Sequence, residues 1–460
     1  MGIFNNKFEI NIENPFERDK LKREDEANMI TSLFDAVGNQ MVLAINSPWG
    51  TGKTTFLNMW KAKLEKDGYS TVYFNCWKND FVEDPFIAFI EEFRQQLDSG
   101  LISKEFKEKA TEVGKHIFKN IPGVVMKGIK NKTGIDIEEI ISEDELESIV
   151  SNKLDEYSKT KDSVEKFKEE LIKLSSNNIE KTEKPLIVFV DELDRCRPDF
   201  AISLLERVKH FFNVENIIFI LGIDKDSLSN SVKVVYGEGT DINGYLTRFI
   251  DMEYTLNQGY NKEYIAFLMD KYNFNKVFED KRRIEGPSIE SSVGEFKHLT
   301  VEILDAFKFS LRDIEKIIAN LYLIVSINKN KYLYPYALIS ILALKKYDRE
   351  LYNKFKSKNI TTKELVESIK DFKIWINKAN HIGSFVEAYW IYMLEDKDII
   401  EEKKKILEEK MRENPEEYRY PERYCIQCYE GLEQTYFSSN VEYMHKSTIQ
   451  KIDMYENYLL

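Results

Sequence analysis

Four short apolar runs constrain this chain more than any other feature: MVLAIN (Met41–Asn46), STVYFN (Ser70–Asn75), PLIVFVD (Pro185–Asp191) and NIIFILGID (Asn216–Asp224). Each is nearly continuous and rich in β-branched or aromatic residues, the pattern of strands buried on both faces. MEYTL (Met252–Leu256) is a weaker fifth. Helical patterns lie between the runs, so the chain reads as a parallel sheet with helices on both faces. The stretch between Asn75 and Pro185 is far longer than a crossover needs, which places an insertion there. Beyond about Asn261 the pattern is helix upon helix, and EEKKKILEEKMREN (Glu401–Asn414) carries opposite charges one turn apart, the mark of a solvated helix.

The first run leads into SPWGTGKTT, residues Ser47, Pro48, Trp49, Gly50, Thr51, Gly52, Lys53, Thr54 and Thr55. This matches the phosphate-binding pattern G-x-x-x-x-G-K-[ST] except at its first position, which holds Ser47. A loop that follows a strand and opens a helix aims free backbone N–H groups and the positive end of the helix dipole at an anion. Lys53 is expected to reach the terminal phosphates, and Thr54 to place its hydroxyl on Mg²⁺. If the first position needs the left-handed backbone region, serine there costs about 1–2 kcal/mol, which a folded scaffold can offset. Gly50 supplies a second hinge.

The third run ends in VDELDRC, with acids at the carboxyl end of a strand, where ligands sit in open α/β sheets. Asp191 is positioned to hold the magnesium, and Glu192 to orient and polarise an attacking water. Asp224 closes the fourth run and reads equally as a polar residue facing the γ-phosphate or as a cap for the helix after it. Trp77 reads as a core anchor under the sheet edge.

The set PWGTGKT, FNCW, VDELDRC, LGIDKDSL, YLTRFIDMEY and SLRDIEKIIANL, in that order, resembles the KAP family of P-loop NTPases. The resemblance implies a P-loop NTPase sheet of the additional-strand (ASCE) class, with a strand between the loop strand and the Asp-Glu strand. It implies ATP and Mg²⁺ as ligands, Lys53 and Thr54 on phosphate and metal, Asp191 on metal, and Glu192 as the water-activating acid where the family often has Asp. Arg312 would report on the γ-phosphate from a helical lid, and Arg248 would act as a finger on a neighbouring subunit's nucleotide. Asp194 and Arg195 complete the acidic signature, with no role assigned to Arg195. The expected organisation is then 1–100 and 181–260 as the two halves of the nucleotide domain, 101–180 as a helical insertion, 261–330 as the lid and 331–460 as a helical C-terminal domain. In bacteria the resemblance suggests an ATP-driven conformational switch in anti-phage defence or plasmid conflict, working beside a protein partner or as a homo-oligomer.

Many members of that family carry membrane helices between the two nucleotide motifs. Here GKHIFKNIPGVVMKGIKNKTG (Gly114–Gly134) is too charged and too short to span, and it reads as a segment packed on its own domain or lying on an anionic surface. With 460 residues, 43% hydrophobic and 32% charged, the composition is that of a soluble globular chain. The net charge of −13 argues against holding nucleic acid by bulk electrostatics, though not against a local basic groove. Four cysteines make no disulfide framework, and the N-terminus is no secretion signal, so a cytoplasmic protein is expected. Cys425 and Cys428, with His445, suggest half a zinc site, but the spacing fits no standard module and a plain thiol pair is the better reading. Two other functions stay open: a nucleic-acid-dependent motor, and a scaffold that holds nucleotide without turnover.

Overall fold

The computed structural model describes residues 10–37, 40–82, 85–97, 106, 108–109, 162, 165–211, 214–257, 261–279, 292–328, 333–376, 381–395, 397–413 and 441–454. The chain divides into two compact units at Asn257–Gln258. All five apolar runs form strands: β1 (Met41–Asn46), β2 (Thr71–Asn75), β3 (Leu186–Asp191), β4 (Ile217–Ile223) and β5 (Met252–Thr255). They make one parallel sheet in the order β2-β3-β4-β1-β5. The expected additional strand is β4, which lies between the loop strand β1 and the acidic strand β3.

Both faces of the sheet are covered, which is why the central strands carry no polar alternation. Ile187, Phe189, Ile218 and Ile220 point into one core with the Glu24–Val37 and Lys53–Lys66 helices. Their neighbours Val188, Val190, Phe219 and Leu221 point into the other, against the Pro85–Gln96, Pro198–Phe211 and Lys225–Tyr236 helices. Trp60 anchors the first core: its ring lies 6.0 Å from Phe34, 5.8 Å from Phe56 and 5.7 Å from Phe189, and its indole N–H donates to Thr31 at 2.9 Å. Phe106, Phe167, Leu171 and Leu174, which fall within the 101–180 stretch expected as an insertion, are buried in the second core. Gly114–Gly134 and the Cys425–Cys428 pair lie outside the described residues.

The register brings the strand ends together. Asp191 pairs with Asn75 on one side and Gly222 on the other, and Asn46 pairs with Ile223 and Thr255. A β-carbon at Gly222 would stand 2.5 Å from Leu57 and 2.7 Å from an Asp191 carboxylate oxygen, so only glycine leaves that carboxylate its place. Trp77 departs from expectation. Cys76 takes the buried position as the chain leaves β2, and Trp77 turns outward with 51% of its surface exposed.

The described residues of the second unit are helical. Helices from 261–328 and from 333–454 share one hydrophobic core within one compact unit. At its centre the Pro335–Tyr347 helix is buried at every residue from Pro335 to Leu344. His445 is buried against the Phe355 ring at 5.6 Å, with Nε2 3.3 Å from the Phe355 carbonyl, a core placement rather than a ligand's. Among the described residues no helix is long and apolar enough to cross a membrane.

The Val441–Asp453 helix is tied down by one carboxylate. Asp453 accepts hydrogen bonds from Lys345 (2.9 Å), Tyr352 (2.6 Å) and Lys356 (2.6 Å). Partial burial works to raise its pKa, but these donors overcome that effect and hold it at about 2. A carboxylate with a depressed folded-state pKa stabilises the fold above its unfolded pKa of about 4, and the contribution is lost as pH falls through the folded value. Asp453→Asn is therefore expected to lower the thermal midpoint at pH 7 by a few degrees, about 1 kcal/mol after solvent screening. The gap from wild type should close as the melts are repeated from pH 4 down to pH 2. A difference that persists unchanged at pH 2 would refute the assignment.

Candidate functional site

The loop between β1 and the Lys53–Lys66 helix closes on itself through side chains. Ser47 is fully buried, and its N–H donates to the Ile223 carbonyl at 3.0 Å. The Thr51 hydroxyl donates to the Pro48 carbonyl at 2.8 Å, so in the 2.6 Å contact between the two hydroxyls the proton comes from Ser47. Ser47 is not among the residues with positive φ, whereas Gly50 (83°) and Gly52 (85°) are. The left-handed turns fall on glycines, and the serine carries none of the expected strain. In this loop the first position is one where serine fits.

Gly52 caps the helix with no side-chain acceptor, which leaves the first-turn N–H groups free of any capping side chain. Lys53 is buried, with its ammonium 3.0 Å from the Ser47 carbonyl and 3.8 Å from an Asp194 oxygen. Burial pushes that ammonium below its ordinary pKa, against the pull of Asp194, Asp191 and Asp224. Across from it Asp191 has no exposed surface. It accepts from the Tyr73 hydroxyl at 2.6 Å and the Glu192 N–H at 2.8 Å. Burial pushes the Asp191 carboxyl above its ordinary range, although hydrogen bonds from Tyr73 and Thr54 work the other way. Burial beside that carboxylate raises the Tyr73 phenol, so Tyr73 remains a donor.

These groups fit a nucleotide with its metal. A buried lysine held below its ordinary pKa even beside Asp194, at a helix end with no capping side chain, would be stabilised in its charged form by a phosphate. A buried carboxylate above its ordinary pKa, hydrogen-bonded to Thr54, is short of a cation.

Glu192 follows Asp191 in the left-handed region, at φ 62°. Both of its oxygens are engaged: Asn75 donates to one at 3.0 Å, and Arg195 pairs with the other at 2.7 Å. Asp194, also buried, accepts from the Trp49 indole N–H, and its second oxygen has no hydrogen-bond partner. Asp224 caps its helix, as one of the two readings expected, and also meets the phosphate-loop backbone. One oxygen caps its helix through the Ser227 N–H at 3.3 Å, and the other accepts the loop N–H of Trp49 at 3.2 Å. Thr55 lies beside Thr54 in the first turn of the Lys53–Lys66 helix.

Both arginines expected at the nucleotide are exposed. Arg248 is exposed and lines a cleft of about 680 Å³ with Arg207, Lys209, Tyr236 and Tyr245. Arg312 is exposed in the first turn of the Leu311–Ile327 helix of the second unit.

Sequence reasoning missed three supports. Arg23, 2% exposed, donates to the Thr51 carbonyl at 3.0 Å and to Asn257, bracing the loop from behind. In KLKRED it looks like any surface charge. Tyr73 and Asn75 lie on β2, and only the strand's period-two alternation marks Tyr73, Asn75 and neither neighbour as sharing a face.

A family model described as the KAP family P-loop domain matches residues 23–328. An uncharacterized protein of Methanocaldococcus jannaschii is 28% identical over 207 residues, covering 38% of this chain and 98% of the relative. A crystal structure of a DNA replication initiation factor aligns over 96% of this chain and 99% of its own, at 12% identity and a TM-score of 0.32. With the ordered motifs, the intervening strand and the family model in agreement over most of its length, the chain belongs to the KAP family and carries its P-loop domain.

Proposed function

We propose that this protein binds ATP with Mg²⁺ and hydrolyses it, and that the cycle drives a conformational switch rather than the conversion of a small molecule. The observation that carries the reading is the convergence of Lys53, Thr54 and Asp191 at one end of the sheet, with Thr54 hydrogen-bonded to Asp191 and burial disfavouring the charged forms of Lys53 and Asp191. The free N–H groups at the start of the Lys53–Lys66 helix and the Lys53 ammonium take the phosphates. Thr54 and Asp191 hold the metal, which when bound neutralises charge on the β- and γ-phosphates. Glu192 orients a water toward the γ-phosphorus and accepts its proton as the bond to the β–γ bridging oxygen breaks and ADP leaves. Asp224, already bonded to the loop, is suited to feel the γ-phosphate, and Arg312 and Arg248 are candidates to contact it from the second unit and from a neighbouring subunit. A cytoplasmic role in anti-phage defence or plasmid conflict, with a protein partner or as a homo-oligomer, fits the family resemblance.

Retention of ATP without turnover is a second reading, and one observation favours it: both Glu192 oxygens are occupied. Steady-state hydrolysis of ATP and GTP separates the two readings. Wild type is expected to turn over ATP. Lys53→Ala should weaken ATP binding about 10- to 100-fold. Glu192→Gln should keep binding while losing about 10²- to 10⁴-fold in kcat. A wild type that binds ATP and never hydrolyses it supports the scaffold, and one that binds no nucleotide sinks both readings.

Ser47 gives an independent check. Ser47→Gly restores the usual residue of the pattern but removes the hydroxyl that meets Thr51. ATP affinity, read by calorimetry, is expected to fall by about three- to tenfold. Tighter binding by the glycine variant would show that the serine is a defect after all.

A further inference from the structure

The turn after β3 holds Glu192 in a way that the chemistry proposed for it does not require. Residues Leu193–Arg195 form a single 3₁₀ turn, with the Arg195 N–H bonded to the Glu192 carbonyl at 3.1 Å. The left-handed backbone at Glu192 followed by this turn brings the Arg195 side chain back to the Glu192 carboxylate. The guanidinium meets one carboxylate oxygen at 2.7 Å while the Asn75 amide holds the other at 3.0 Å. Little water reaches the pair: the side chains are 22% and 14% exposed. Each oxygen of the carboxylate already accepts one protein donor, which fixes the direction in which it can meet an attacking water.

On its other side Arg195 meets the Trp77 ring, 5.7 Å from the centroid. Trp77 is half exposed and leads a short segment fixed against the same turn, since Arg197 donates to the Asp80 carbonyl at 2.8 Å and 3.1 Å. A guanidinium flanked by a carboxylate and an aromatic face has two favourable places to be.

We infer that Arg195 is a positioning residue that restrains Glu192, and that Trp77 holds Arg195 in that restraining place, so that turnover requires Arg195 to leave the carboxylate. This rests on the reading of Glu192 as the water-activating acid. It adds that the ion pair withholds the acid, so that breaking it speeds hydrolysis. A residue that only supported the fold, or that contacted phosphate, would do the opposite when lost.

The test uses the full chain and four variants, Arg195→Gln, Arg195→Lys, Trp77→Ala and the double variant Arg195→Gln with Glu192→Gln. ATP binding, kcat, KM and thermal midpoint are measured for each. Arg195→Gln is expected to raise kcat about three- to tenfold with KM little changed, the worth of one released ion pair or hydrogen bond. Trp77→Ala should raise kcat by a smaller factor, and Arg195→Lys, which keeps a cation beside the acid, should fall between wild type and Arg195→Gln. The gain must vanish in the double variant. The proposal is overturned if Arg195→Gln lowers kcat or leaves it unchanged while ATP still binds, or if its thermal midpoint and its rate fall together. Failure of the underlying reading looks different: the wild type then binds no ATP, or Glu192→Gln hydrolyses as fast as wild type.

Discussion

A carboxylate with no exposed surface has to be held by donors or by a cation, and Asp191 sets that requirement for everything around it. Tyr73 from the neighbouring strand and Thr54 from the facing helix supply the donors. Gly222, on the strand at its other side, supplies the room. The three come from separate parts of the chain and meet only because the parallel register ends β2, β3 and β4 at one level. Removing a charge from water costs several kcal/mol, so such a group persists where its partners are arranged in advance. The same arrangement that makes Asp191 costly makes it fit for a divalent ion, and Lys53 repeats the logic with the opposite sign a short distance away.

Much of this could be read in advance. Strands buried on both faces must be apolar throughout, and that is why the first four were visible as nearly continuous runs, whereas the exposed edge strand β5 was the weak fifth. The loop and the acidic strand were visible because their residues are local in sequence. The additional strand needed the family resemblance, since spacing alone does not say which strand lies between which. What stayed hidden is non-local. Trp77 looked like a core residue because composition cannot tell which of two adjacent bulky residues, Cys76 or Trp77, follows the buried face as a strand ends. Arg23 looked like an ordinary charge, and Arg195 matched the acidic signature without a role, because their meaning lies in the Thr51 carbonyl and the Glu192 carboxylate they meet. Ser47 looked like a defect because the pattern is written for loops that turn at the first position, and this one turns at Gly50 and Gly52.

Hydroxyls, an indole and an arginine replace what a glycine-led loop would leave to backbone alone. Ser47 and Thr51 close the loop across its base, Trp49 reaches Asp194 and Asp224, and Arg23 braces Thr51 from behind. A loop fixed at this many points is organised before any ligand arrives. Less of the interaction energy with a phosphate is then spent on ordering the protein.

The Pro335–Tyr347 helix, apolar on every side over most of its length, has no stable form until neighbours surround it. Those neighbours include the His381–Leu394 and Val441–Asp453 helices, so the unit closes only after nearly all of it has left the ribosome. The sheet unit, complete at Asn257, has no such wait. During synthesis the sheet unit can therefore close first, while the growing helical segment keeps apolar surface exposed until its later helices emerge.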